Sequence, residues 1–98
     1  MEDITVTELK SRMDAGEDVT LIDVREPSEH AQFNIGGRNL PLGGIVDWSQ
    51  HLELPVETEI VLYCRSGNRS MMAKGFLAAK GFTGVRNLTG GMIAWSKM

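Results

Sequence analysis

The only cysteine of the chain, Cys64, stands where an apolar run ends and a short polar loop begins. The run Ile60–Tyr63 is apolar and rich in β-branched residues, which predicts a buried strand, and a helix-forming run starts at Met71. A helix N-terminus has several backbone N–H groups without internal partners, and these are directed towards the preceding loop. We therefore predict that the Cys64 sulfur lies in a concave site that attracts anions. The loop itself reads Arg65-Ser66-Gly67-Asn68-Arg69-Ser70.

Two features of this loop favour a reactive thiol over an inert one. The positive end of the helix dipole and the guanidinium groups of Arg65 and Arg69 both favour thiolate, so the pKa of Cys64 is expected below the free-cysteine value of about 8.5. The alternative is a small buried hydrophobic residue, which is the common role of a lone cysteine at the end of a strand. Two cations beside a thiol serve no purpose in an apolar core. The sequence therefore favours a nucleophile surrounded by anion-binding groups.

Composition limits the functional classes. A chain of 98 residues with 42% hydrophobic content predicts a single domain over residues 1–98. A net charge of −3 and the lack of a basic run give no support for nucleic-acid binding. One cysteine excludes an internal disulfide and a zinc site of several cysteines. The acidic N-terminus lacks a secretory pattern and the apolar runs are too short to cross a bilayer, so a cytoplasmic, reducing environment without a membrane partner is expected.

The elements that must position Cys64 alternate between helix and strand. Thr5 and Glu8 fit a capping box at the start of a first helix, and Gly16 is placed to end it. Residues 19–24 are nearly continuously apolar, as in a strand buried on both faces, and Pro27 suits the first turn of a short helix. The alternation predicts an α/β fold with a mainly parallel sheet of about five short strands and helices on both faces. Further strands are predicted at residues 39–41, 60–63 and 85–88, and further helices at residues 45–51, 71–80 and 92–97.

The helix predicted over residues 71–80 is expected to bury one apolar stripe, given the spacing of its large residues. Met71 and Met72 are interpreted as core-filling side chains rather than as a functional pair. The predicted stripe consists of Met72, Phe76 and Ala79, with Ala73 and Leu77 beside it.

Asp23 ends the first predicted strand, and it therefore lies at the same edge of a parallel sheet as the cysteine. A buried carboxylate needs a partner. Two roles are equally consistent with the sequence: Asp23 orients a loop arginine at the site, or it makes a structural ion pair or turn cap. Arg25 is expected to pair with Glu29 in a structural role. His30 and His51 lack ligand spacing with another strong donor, so both are expected on the surface and no metal site is predicted.

Four segments of the chain together resemble the signatures of single-domain rhodaneses. The resemblance runs in register from about Ile4 to Trp95, and its most specific parts are the Cys-Arg-x-Gly loop and the Gly-Gly-x-x-x-Trp ending. Ser66 is a departure, because thiosulfate-preferring members often carry lysine at this position. The four segments are Asp23-Val24-Arg25-Glu26 with Glu29, Asn39-Leu40-Pro41-Leu42, Tyr63-Cys64-Arg65-Ser66-Gly67-Asn68-Arg69-Ser70, and Leu88-Thr89-Gly90-Gly91-Met92-Ile93-Ala94-Trp95.

The resemblance implies a rhodanese-like fold and a sulfurtransferase. In this family the cysteine thiolate takes sulfur from a donor such as thiosulfate, forms a persulfide, and passes the sulfur to an acceptor. Cyanide serves as acceptor in vitro, and a thiol or a protein serves in cells. For this chain the resemblance implies Cys64 as the catalytic residue, residues 65–70 as the persulfide-binding loop, and Arg65 and Arg69 as groups that attract a small anionic donor. Asp23 and Arg25 would lie behind the loop, and neither a cofactor nor a metal is required.

Two alternative functions use a similar loop. Cysteine phosphatases and arsenate reductases that resemble this fold have a loop one residue longer, whereas four residues separate Cys64 from Arg69 here. A smaller ring suits one sulfur atom better than a phosphate. A persulfide carrier that acts only with a protein partner needs the same loop, and repeated turnover is what distinguishes an enzyme from such a carrier.

Overall fold

The sheet of the protein consists of four parallel strands: β1 (Thr20–Asp23), β2 (Arg38–Asn39), β3 (Ile60–Tyr63) and β4 (Val85–Asn87). The computed structural model describes residues 1–98. The strand order is β2-β1-β3-β4, so β1 and β3 lie in the centre of the sheet. The sheet has four strands where about five were expected, and an isolated parallel bridge between Ile4 and Leu88 lies beside the end of β4. The α/β class and the parallel pairing are confirmed.

Five α-helices connect and cover the strands: α1 (Val6–Asp14), α2 (Pro27–Gln32), α3 (Ile45–Trp48), α4 (Asn68–Ala79) and α5 (Gly91–Ser96). Of the two hydrogen bonds that the capping box predicted for α1, the structure shows one. The Glu8 N–H donates to Thr5 Oγ1 at 3.1 Å, but the Glu8 carboxylate pairs with Arg86 instead of returning to the cap. Gly16 follows the helix with a φ of +82°, the left-handed conformation expected there. No helix has the length and apolar character needed to cross a membrane.

Side chains of β3 alternate between the two faces of the sheet and reach a separate core on each face. Ile60 and Leu62 belong to the cluster that contains Ala73 and Leu77 of α4. Val61 and Tyr63 belong to the cluster on the opposite face, which contains Leu9 of α1 and Met92 of α5. All four β3 residues are fully buried, as expected for a central strand of a parallel sheet. Cys64 continues the alternation and lies on the α4 face.

Helix α4 begins earlier than predicted, and the predicted buried stripe is partly wrong. Ala73 and Leu77 are buried and Phe76 packs against the core as expected. Met72 and Ala79 are exposed instead. The helix starts at Asn68, because Gly67 ends the loop with a φ of +103°. Its buried face consists of Ser70, Ala73 and Leu77, whereas Met71 and Met72 are 47% and 67% exposed. The helix carries apolar or small residues on nearly all sides, so the spacing predicts its period but not which side faces the core.

Substitutions on the two sides of α4 test this orientation. We expect Leu77→Ala to lower the free energy of unfolding by about 2–5 kcal/mol, because it leaves a cavity in the core. Met72→Ala is the matched control on the exposed side and is expected to change it by less than about 0.5 kcal/mol. Urea denaturation measures both values. Similar losses in the two variants would contradict the buried face assigned here.

Candidate active site

Cys64 follows β3 directly, at the carboxyl end of the sheet, and is 1% exposed. The Gly67 N–H donates to the Cys64 Sγ at 3.1 Å and the Ser70 N–H donates to it at 3.4 Å. The left-handed conformation of Gly67, which glycine adopts without strain, turns the chain into α4 within a short loop. The sulfur is therefore enclosed by amide donors from the loop and from the first turn of a helix.

The N-terminus of α5 holds the carbonyl side of the same loop. The Met92 N–H donates to the Cys64 carbonyl and the Ile93 N–H to the Arg65 carbonyl, both at 2.9 Å. Because a trans peptide is planar, the N–H of the Arg65–Ser66 peptide points opposite to the carbonyl that α5 holds. A side chain at Gly91 would overlap the carbonyl oxygens of Cys64 and Arg65. Glycine is thus required where α5 approaches the loop backbone.

The pKa of the Cys64 thiol is set by two opposing effects. Burial raises it, because the charged thiolate loses water. Hydrogen bonds from the Ser70 hydroxyl and from the amides of Ser70, Gly67 and Ser66 stabilise the thiolate and bring the pKa below its usual value. This is the direction expected from the sequence. The largest effects that lower the pKa are local hydrogen bonds, and the interaction with Arg69 is a smaller one.

The Ser70 hydroxyl is the side-chain donor closest to the sulfur, with its Oγ 3.4 Å from Sγ. This hydroxyl has one proton and three neighbouring acceptors: Sγ, the Gly67 carbonyl at 3.2 Å and Asn87 Oδ1. Ser70 is 0% and Asn87 4% exposed, so water does not compete for this hydroxyl. Sequence reasoning missed Asn87. A polar residue at the end of a buried strand next to the cysteine strand is the signal that points to it.

Arg69 does not face the sulfur as a free cation. Its guanidinium makes two hydrogen bonds to the Glu29 carboxylate, at 2.7 and 3.0 Å. Glu29 also accepts the Glu26 N–H at 3.0 Å within the first turn of α2. The hydrogen bonds from Arg69 are the main reason that the pKa of Glu29 falls to about 2. This pair links α2 to the start of α4, and the expected pairing of Arg25 with Glu29 is wrong.

Arg25 pairs with Asp23 instead, in a nearly dry position. Arg25 Nε donates to Asp23 Oδ1 at 2.9 Å and Nη2 to Oδ2 at 2.8 Å, with side chains 8% and 0% exposed. Asp23 also accepts the Arg25 N–H at 3.0 Å and lies 2.9 Å from His30 Nδ1. Of the two roles considered for Asp23, the structure shows the ion pair and turn cap. His30 is partly buried against this carboxylate rather than on the surface, whereas His51 is exposed as expected.

One cavity, with a volume of about 250 Å³, opens beside the loop. Its lining combines charged and polar residues with two apolar residues of α5. Arg65 is one of its lining residues and is exposed, and its side chain makes no hydrogen bond with the rest of the protein. No three His, Cys, Asp or Glu side chains come together as a metal site. The lining residues are Arg25, Glu29, Gln32, Arg65, Met92, Ile93 and Ser96.

Comparison with known proteins agrees on one family. The sequence model described as Rhodanese-like domain matches residues 5–98. A sulfurtransferase of Allochromatium vinosum is 39% identical over 98 residues, which cover 99% of this chain and 90% of that protein. The crystal structure of a rhodanese-like domain protein from Staphylococcus aureus has a TM-score of 0.84 at 29% identity, covering 97% of this chain and 91% of that one. The human single-domain sulfurtransferase TSTD1 gives a TM-score of 0.82 at 28% identity, with 97% and 95% covered.

Removal of the Ser70 hydroxyl tests the hydrogen bonding of the thiolate. We expect Ser70→Ala to raise the pKa of Cys64, because the side-chain donor is lost while burial remains. The rate of alkylation by iodoacetamide, followed from pH 5 to 10, reports this pKa. Ser66→Ala is the matched control, since Ser66 acts through its backbone amide. A pKa that is unchanged in Ser70→Ala would refute the role of the hydroxyl.

Replacement of Glu29 tests the ion pair that ties α4 to α2. Because the folded-state pKa of Glu29 is lowered from 4.5 to about 2, its stabilising effect is complete above pH 4.5 and is lost as the pH falls towards 2. We expect Glu29→Gln to lower the free energy of unfolding near pH 7 by about 1 kcal/mol at most, because both side chains partly contact water. The difference from the wild type should vanish near pH 2.

Glu59→Gln is the control for this experiment. Glu59 also has a pKa of about 2, owing to hydrogen bonds from Arg12 and then from Arg86, so its stability effect follows the same pH window. Glu29 offsets the positive charge of Arg69. That charge interacts with the Cys64 thiolate, which contributes to the raised pKa of Arg69. We therefore expect Glu29→Gln, and not Glu59→Gln, to lower the pKa of Cys64. Equal thiol titrations in both variants would contradict this coupling.

Proposed function

The chain belongs to the rhodanese-like domain family and is on that ground a sulfurtransferase, and we propose that it moves sulfane sulfur from a donor to an acceptor through a persulfide on Cys64. The observation that carries the proposal is the enclosed Cys64 sulfur, with amide donors at 3.1 and 3.4 Å and a lowered pKa. A thiolate near neutral pH is the nucleophile that this reaction requires.

Loading is a displacement at sulfur. The Cys64 thiolate attacks the outer sulfur of thiosulfate, the sulfur–sulfur bond of the donor breaks, and sulfite leaves with the electron pair. Cys64 then carries a terminal sulfur as an anionic persulfide. In the second step cyanide, a thiol or a protein acceptor attacks that terminal sulfur, and the Cys64 thiolate leaves. Atoms and charge balance in each step without a metal or a cofactor.

The loop and the first turn of α4 supply the groups that stabilise the persulfide anion. Asn68, Arg69 and Ser70 occupy the first helical positions, whose amides have no carbonyl partner within the helix. The Ser70 amide already reaches Sγ, and a terminal sulfur bonded to Sγ lies about 2 Å further out. The amides of Asn68 and Arg69 are the next donors along the turn. They would act on sulfur as an oxyanion hole acts on oxygen.

The charge of the loop favours sulfur over phosphate chemistry. A phosphoryl group carries spread negative charge and is usually held by a free arginine or lysine. The guanidinium of Arg69 is instead engaged by Glu29 through two hydrogen bonds. The groups that surround the sulfur are therefore backbone amides and the Ser70 hydroxyl, which suffice for a singly charged sulfur, whereas the other loop arginine, Arg65, lines the cavity.

Two further aspects belong to the proposal. The donor is a small anion, because Arg65 is an exposed cation at the edge of the cavity beside the loop. The acceptor is a thiol or a protein, and a relay that discharges only to one protein partner uses the same site. The single unpaired cysteine is buried and has no disulfide partner, which suits the reducing conditions of the cytoplasm.

Intact mass measured before and after incubation with thiosulfate tests the persulfide. We expect the wild type to gain the mass of one sulfur atom, to lose it on addition of cyanide, and to release thiocyanate. Cys64→Ser is expected to gain nothing while retaining its circular dichroism spectrum. Sulfur gained by the serine variant would refute the assignment of Cys64. Repeated release of thiocyanate identifies an enzyme, whereas a single load that only a protein discharges identifies a relay.

A further inference from the structure

The Ser70 hydroxyl has more acceptors around it than its single proton can serve at one time. Its Oγ lies 3.4 Å from Cys64 Sγ and 3.2 Å from the Gly67 carbonyl, and Asn87 Oδ1 is nearer than either. A hydroxyl donates one hydrogen bond and accepts up to two. The acceptor that holds the proton therefore decides whether Ser70 acts on the sulfur as a donor or as an acceptor.

The charge of the sulfur determines which acceptor holds the proton. A neutral thiol has a proton of its own, so it can donate to Ser70 Oγ while the Ser70 hydroxyl donates to Asn87 Oδ1. A thiolate only accepts, and a charged acceptor forms a stronger hydrogen bond than the oxygen of a neutral amide. The hydroxyl then turns towards Sγ. Asn87 is thus the acceptor with which the Cys64 thiolate competes.

The backbone of Asn87 is held in place at the edge of the sheet. Its N–H donates to Asp3 Oδ1 at 3.1 Å, and its carbonyl accepts the Ile4 N–H at 3.0 Å. The ammonium of Lys74, on the helix that also carries Ser70, binds the same Asp3 oxygen at 2.7 Å. Asn87 is 4% exposed, so bulk water does not take its place as the acceptor. The residues that precede α1 therefore fix the group that competes with the sulfur.

We propose that Asn87 is a positioning residue for sulfur transfer, which holds the hydroxyl proton of Ser70 while Cys64 is uncharged and yields it when Cys64 becomes a thiolate. This inference deepens the proposed function and rests on it. Loading converts the charged Sγ into the neutral inner sulfur of a persulfide, and the hydroxyl turns to Asn87 Oδ1. Discharge breaks the sulfur–sulfur bond and leaves its electron pair on Sγ, and the hydroxyl turns back to the departing thiolate. Ser70 keeps its proton throughout, and only the orientation of the hydroxyl changes.

Two replacements of Asn87 with opposite expected effects test this competition, with the alkylation rate from pH 5 to 10 as the measurement. Asn87→Leu removes the acceptor at similar size. The hydroxyl is then free to donate to Sγ, and we expect the midpoint of the alkylation profile to fall by about 0.5–1 pH unit, which is what one hydrogen bond supports. Asn87→Asp introduces a carboxyl that ionises at far lower pH than a thiol. Its charge binds the hydroxyl and repels the thiolate, so the midpoint is expected to rise.

A double-mutant cycle connects the effect of Asn87 to the hydroxyl. In a Ser70→Ala background there is no hydroxyl proton to hold, so adding Asn87→Leu is expected to leave the midpoint of the profile unchanged. The neighbouring Asp3 does not titrate in this window. Burial opposes its charge, but hydrogen bonds from Lys74 and from the Asn87 N–H outweigh burial and lower the pKa of Asp3. Arg69, which interacts with the thiolate, keeps its charge throughout the window as well.

The rates of the two half-reactions give a second measurement. A thiolate of lower pKa is a weaker nucleophile and a better leaving group. We therefore expect Asn87→Leu to slow loading by thiosulfate, expressed per thiolate, and to speed discharge to cyanide, each by about two- to threefold. Damage to the fold of the loop would slow both steps, so opposite changes distinguish the positioning role from a structural one.

Three results would overturn the role of Asn87. An unchanged midpoint in Asn87→Leu, or a shift that remains in full without the Ser70 hydroxyl, would show that the two acceptors do not compete. Shifts of the same sign in Asn87→Leu and Asn87→Asp would assign Asn87 to packing. Both results leave the sulfurtransferase function intact. A wild type that accepts sulfur on Cys64 from no donor would refute the proposed function and the part of Asn87 in it, and the alkylation profiles distinguish this failure because they require no donor.

Discussion

The chemistry of this protein depends on how the backbone of one loop is oriented. A sulfur that is 1% exposed has lost its water, and burial by itself makes the thiolate unfavourable. The loop reverses this by directing the amides of Gly67 and Ser70 at Sγ. The Ser66 amide also lowers the pKa of Cys64, and α5 binds the carbonyl on the other side of that peptide, which is the Arg65 carbonyl. Planarity of the peptide couples the two sides. Helix α5 thus contributes to the pKa of a cysteine that none of its side chains bonds to.

Two ion pairs hold the remaining sides of the site, and they differ in kind. The Arg69–Glu29 pair is partly exposed, so it contributes little to stability, but it fixes the first turn of α4 and offsets a cation near the sulfur. The Asp23–Arg25 pair is nearly dry, and a pair of this type often costs as much in desolvation as its attraction returns. The pair fixes the position of the Arg25 side chain, which also binds the Phe33 carbonyl and borders the cavity.

The sequence was a good guide to the strands and to the loop, and a poor guide to side-chain partners. Continuous apolar runs such as Ile60–Tyr63 have only one reasonable structure in an α/β chain, and the position of Cys64 at the end of that run follows directly. The buried face of α4 was misjudged because apolar residues surround the helix, and a single glycine conformation at Gly67 decided where it starts. Which carboxylate pairs with Arg25 depends on the tertiary structure. Asp23 and Glu29 are both within reach along the chain, and the burial of Asp23 at a strand end makes it the partner.

The distribution of charge around Cys64 also explains why the loop is suited to a transferable sulfur. An unpaired guanidinium directed at the sulfur would favour a dianion such as phosphate. Here the Glu29 carboxylate pairs with Arg69 and offsets its positive charge. The thiolate is stabilised by neutral donors, which are the Ser70 hydroxyl and backbone amides. Neutral donors lower the pKa while leaving the leaving-group character of the thiolate adequate for the second step. The other loop arginine, Arg65, lines the cavity beside the loop, and in the proposed reaction its charge acts on the incoming donor.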